Sequence, residues 1–163
     1  MAKGQAERLV PLLDEVLAGA GVVWADVTAI AVGVGPGNFT GIRIAVALAR
    51  GLALGLGIPA VGVTGFEALA HGAKLPVMVA LEAPRGQAYV QEFTAGGPGK
   101  ADIVAVAPDG VRRMADVDLA GFVAAMAQVG RAKAASAQPR PAPFYLRSAD
   151  AAPASDPPPV ILP

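Results

Sequence analysis

The chain has 163 residues, 54% hydrophobic and 16% charged, which suffices for a buried core and excludes a chain disordered throughout. Thirteen Lys and Arg balance thirteen Asp and Glu, so the basic excess that autonomous nucleic-acid binding needs is lacking. With no cysteine and a single histidine, His71, the composition excludes disulfides, a thiol nucleophile, cysteine-based metal centres and two-histidine metal sites.

From Gln5 to Ala18, Leu9, Leu12, Leu13, Val16 and Leu17 recur at helical spacing, with Glu7, Arg8, Asp14 and Glu15 off the stripe. This predicts an amphipathic helix ended by Gly19 and Gly21, with no signal peptide ahead of it and a cytoplasmic location by default. Trp24, beside Val22 and Val23, reads as core. The apolar run Ala29 to Val34 predicts a buried strand, and a long helix follows from about Phe39 to Gly55. Pro59 to Val63 reads as a second strand, with Thr64 capping a short helix from Gly65 to Ala70. The uncharged stretch from Gly51 to Phe66, about 16 residues broken by Pro59 and five glycines, falls short of the roughly 18 to 20 that a spanning helix needs.

His71 ends the short helix and reads as a capping or solvent residue. Pro76 to Leu81 and Gln87 to Phe93, joined by a turn with Pro84 and Gly86, read as a hairpin. Glu82 and Glu92 flank it without forming an acid/base pair. Ala95 to Lys100 reads as a loop, Ile103 to Val106 as a weak strand and Asp116 to Val129 as a helix. Beyond Gly130 the chain is rich in Pro, Ala and Ser, with eight prolines from Pro139 to Pro163, and reads as extended around one ordered island, Phe144 to Arg147. Strands alternating with helices predict an α/β sheet.

The most specific string runs from Gly33 to Arg43, GVGPGNFTGIR, between a strand and a helix. Gly33, Gly35, Pro36 and Gly37 form a turn that either contacts a phosphate or permits close backbone approach. It matches neither GxGxxG, which needs glycine in place of Asn38, nor a Walker loop. In the helix behind it, Gly41, Ala45, Ala49 and Ala53 recur every fourth residue, a stripe that suits a subunit interface or an internal contact. Arg43 either meets a phosphate or a partner carboxylate, or is a solvated charge.

Extended to GVGPGNFTGIRIAVALARGLALGLGIPAVGVTGFEALA, this string resembles the signature of the TsaB (YeaZ) family, with Phe39 and Thr40 inside the motif. Three further blocks in the same order carry the resemblance over more than half of the chain: GQAERLVPLLDEVL upstream, ALEAPRGQAYVQEF, and PFYLRSADA near the end. The resemblance implies an actin-like, ribonuclease-H-like (ASKHA) α/β fold. It also implies a non-catalytic subunit that pairs with TsaD in making threonylcarbamoyladenosine at position 37 of tRNA. ATP and metal would belong to partner subunits, TsaD and the ATPase TsaE, with tRNA met only within that complex, and neither a cofactor nor a catalytic residue is assigned to this chain. The related TsaD branch has carried a peptidase label, which a lone histidine without a paired nucleophile argues against.

Departures from the family pattern set further expectations. The strand hairpin with an Asp-Thr-Ser-type phosphate loop is not found ahead of the first helix, Gln5 stands where histidine is common, and Glu82, Pro84 and Gln87 replace Asp, Arg and Glu. A truncated N-terminal lobe over residues 1–75, a shortened second lobe over 76–138 and a Pro-rich segment over 139–163 follow, with a misplaced start as the expected reason. Leu9 and Leu13 of the first helix, with Gly41, Ile42, Ala45, Val46, Ala49 and Ala53 of the second, are expected to form the surface that meets TsaD or a second copy. A small ATP-dependent phosphotransferase of the actin-like superfamily, or an inactive fragment, are the alternative functions.

Overall fold

The computed structural model describes residues 4–147 of the chain. Helix α1 (Gln5–Gly19) precedes a β-α-β unit in which β1 (Ile30–Gly35) and β2 (Ala60–Thr64) run parallel, connected by α2 (Phe39–Leu56). Helix α3 (Gly65–Ala70) then leads to a second sheet. There β3 (Val77–Glu82) pairs antiparallel with β4 (Ala88–Thr94), which also takes β5 (Gly97–Pro98) and β6 (Asp102–Val104). Strand β7 (Arg112–Arg113) adds parallel to β3, and α4 (Leu119–Ala134) returns to the first sheet.

Local chemistry sets these boundaries. The Asn38 side chain accepts from the Gly41 amide at 2.8 Å to start α2, and Gly57 ends it in the left-handed conformation at φ 68°. Thr64 and Glu67 form a reciprocal cap on α3: the Glu67 amide donates to Thr64 Oγ1 at 3.1 Å, and the Thr64 amide donates to Glu67 Oε2 at 2.7 Å. The other oxygen of Glu67 receives Lys133 Nζ at 2.9 Å, and the same ammonium donates to the Gly62 carbonyl at 2.8 Å, which ties α4 to both β2 and α3.

The core has distinct parts. Val32 and Val34 of β1 meet Val46 and Ala49 of α2, while Phe66 and Leu69 of α3 pack with Val79 and Tyr89 of the second sheet. Ala80, Ala88, Val90 and Val111 gather in a further cluster about β3 and β4. Helix α2 is long and apolar enough by composition to cross a membrane, yet here its Val46, Ala49 and Ala53 lie buried in the fold. Helix α4 approaches β1 so closely that a Cβ on Gly130 would collide with the Cβ of Ala31. Gly130→Leu is therefore expected to lift α4 from the sheet and lower stability by about 3 kcal/mol, at the upper end of overpacking costs. Urea denaturation of the variant checks this, and a midpoint equal to the parent's would contradict it.

Several sequence expectations need correction. Helix α4 starts later and ends later than expected, because Met114–Asp116 forms a separate 3₁₀ turn and Asp118 supplies the cap, its carboxylate accepting from the Gly121 amide. The segment expected as a loop contains β5, which pairs with Phe93 and Thr94. Trp24 is half-buried rather than core, its indole Nε1 donating to Asp14 Oδ1 at 2.7 Å and so tying the turn after α1 back to that helix. The Pro-rich segment past Arg147 lies outside the described residues.

Candidate functional site

The glycine turn and the C-terminal block, far apart in sequence, meet in one place. The Phe144 amide donates to the Val34 carbonyl at 2.8 Å. Gly35 has φ 107°, and a Cβ there would lie 2.9 Å from the Phe144 carbonyl oxygen, so only glycine fits both the backbone and the space. One residue on, Tyr145 stacks on Phe39 with ring centroids 4.7 Å apart and planes inclined by 26°. Arg43 lies over the Phe39 ring at 3.8 Å and its Nε donates to Tyr145 Oη at 3.0 Å.

Arg43 stays exposed yet engaged: it closes a clasp of Phe39, Arg43 and Tyr145 over the start of α2. At Gly35 the glycine turn serves close approach. Arg43→Ala is expected to remove about 1–2 kcal/mol from this clasp, the sum of one exposed cation–π contact and one hydrogen bond. Hydrogen exchange at the Phe144 amide should then accelerate roughly tenfold, whereas an unchanged rate would show that the clasp does not hold the segment.

The expected partner surface is divided by the fold. Val46, Ala49 and Ala53 are buried, with exposures of 3%, 5% and 5%, and Ala45 and Ile42 pack beside the first of these against β1. The stripe of small residues thus serves an internal contact, because α2 must lie close to a strand of its own chain. Gly41, Leu9 and Leu13 are half-buried, as are Pro36 and Phe39 of the turn, while Gly37 and Thr40 are exposed. Open apolar side chains on these two helices were not expected as partner residues: Val10 on α1 at 37% exposure, Leu12 and Val16 one turn apart on α1 at 36% and 61%, and Leu54 on α2 at 84%. Their exposure could not be read from spacing, since the helical stripe on α1 is wider than the contact α1 makes with α2.

Among the described residues, His71 bonds to Gln128, with His71 Nε2 and Gln128 Oε1 2.7 Å apart, and no three of His, Cys, Asp and Glu come together as a metal site. The fold matches YeaZ from Pseudomonas aeruginosa with a TM-score of 0.60 and 25% identity, covering 86% of this chain and 84% of that one. The molecule is a short α/β protein of the actin-like (ASKHA) class. More narrowly, the chain belongs to the TsaD family, described as tRNA N6-adenosine threonylcarbamoyltransferase, whose family model matches residues 1–152. An uncharacterized protein of Mycobacterium tuberculosis is 32% identical over 174 residues, covering 93% of this chain and 79% of the relative. The tRNA threonylcarbamoyladenosine biosynthesis protein TsaB of Escherichia coli is 37% identical over 92 residues, covering 53% of this chain and 40% of that protein.

Proposed function

We propose that this chain is a non-catalytic subunit that pairs with a TsaD-type transferase in the cytoplasm and supports N6-threonylcarbamoylation of adenosine 37 in tRNA. The observation that carries this reading is the exposure of large apolar side chains, Leu12 and Val16 on α1 and Leu54 on α2, in a chain related to TsaB. Large exposed aliphatic side chains gain most when a partner removes them from water, about 1.5–3 kcal/mol for each one fully buried. In this reading ATP and metal are handled by the partners, TsaD and TsaE, tRNA is met only within the assembly, and a second copy of the chain can occupy the same helices when the partner is absent.

The test is genetic and chemical together. Cells that depend on this chain should lose threonylcarbamoyladenosine from digested tRNA when it is depleted, and regain it when the chain is restored, as read by nucleoside mass spectrometry. Unaltered modification after depletion would contradict the reading, and Mg²⁺-dependent ATP turnover by the purified chain alone would favour a phosphotransferase instead.

A further inference from the structure

A groove of about 630 Å³ opens between the last turns of α2, the loop into β2 and the segment 136–141. Its volume falls in the range of small-molecule sites. Leu54, Ile58, Pro59 and Pro141 give it apolar walls, and Arg50 and Arg140 are the charged residues of its lining. Among the described residues, neither arginine has a hydrogen-bond or ion-pair partner and no Asp or Glu lines the groove.

Arg50 is the more telling of the two. Helix α2 carries only two charged residues, and the clasp accounts for Arg43 but not for Arg50. The C-terminal end of α2 contributes about half a negative charge nearby, against two full positive charges, so the groove keeps a net attraction for anions. Gln138 donates through Nε2 to Ser136 Oγ at 2.9 Å, and Ser136 Oγ donates on to the Lys133 carbonyl at 3.3 Å. That chain fixes Gln138 and leaves its amide oxygen able to accept from a ligand.

We propose that this groove binds a small organic anion, a phosphate or carboxylate held by Arg50 and Arg140 and attached to a compact apolar body that rests on Leu54, Ile58 and Pro59. Guanidinium groups recognise both anions through paired N–H donors, so the two sources share one chemistry. The proposal shares Leu54 with the surface of the pairing function above, while Arg50, Arg140, Ile58 and Pro59 belong to the groove alone.

The experiment titrates the full chain, by amide chemical shifts, with phenyl phosphate, octanoate, inorganic phosphate and benzyl alcohol as separate probes. Phenyl phosphate or octanoate is expected to bind roughly tenfold or more tighter than both inorganic phosphate, which lacks the body, and benzyl alcohol, which lacks the charge. A preference between the first two names the anion, and either preference supports the site. Arg50→Gln and Arg140→Gln should each weaken binding roughly tenfold, Arg50→Lys less, and added salt should weaken it further. Both positions are exposed, so the variants should keep the parent's circular dichroism and melting curve. The proposal is overturned if neither amphiphile saturates in the millimolar range, if benzyl alcohol binds as well as they do, or if both Gln variants bind like the parent.

Discussion

Replacing Phe144 by alanine is expected to lower the stability of the chain by about 3 kcal/mol, near the low end for an aromatic deletion because the ring is half-buried. The ring packs against both the β1–α2 cluster of Val32, Val34 and Val46 and the cluster of Phe66, Val79 and Tyr89. Its amide also bonds to the Val34 carbonyl at 2.8 Å, so this one residue links two parts of the core. Phe144→Leu, which keeps most of the apolar volume, should recover more than half of the loss. The measurement is the urea midpoint of each variant. A parent-like midpoint for Phe144→Ala would mean that the C-terminal block lies on the fold without stabilising it.

Arginine at both Leu12 and Val16 should weaken association with a TsaD-type partner roughly 100-fold or more, since burying an unpaired charge at the centre of an apolar contact removes hot-spot energy. Val16 is open and Leu12 about one-third exposed in the isolated chain, so the double variant should stay folded and lose no more than about 1 kcal/mol of its own stability. Val46→Arg makes the contrast: at 3% exposure it sits in the core, and the variant should fail to fold rather than report on a partner. Co-elution of the partner with each variant, alongside a thermal melt, separates the two effects. A double variant that still co-elutes fully would remove α1 from the interface.

Much of the fold was legible because local rules govern it. The 3.6-residue apolar period over Leu9, Leu13 and Leu17 marks α1, and Thr64 ahead of Glu67 marks the start of α3. Strands β5 and β7 have two residues each, too few for a period of two to register. The end of α4 was hidden by the change to Ala-rich composition at Gly130, although Arg131 and Lys133 in its last turn complement the helix dipole.

The candidate site was legible only in pieces. The blocks that carry the family resemblance include Phe39, Arg43 and Tyr145, but the contact from Arg43 to Tyr145 spans 102 positions, and no spacing rule reaches that far. The stripe of Gly41, Ala45, Ala49 and Ala53 states that some backbone comes close without stating whose. The fold answers with the chain's own β1, and only burial could have distinguished that from a partner.

The most direct test of the central proposal is calorimetric titration of the purified chain into a purified TsaD-type partner. The account predicts a saturable one-to-one complex with a negative heat-capacity change, as apolar burial requires, abolished by arginine at Leu12 and Val16. A partner that gives no heat of binding with the intact, folded chain, and that modifies tRNA equally well without it, would contradict the account.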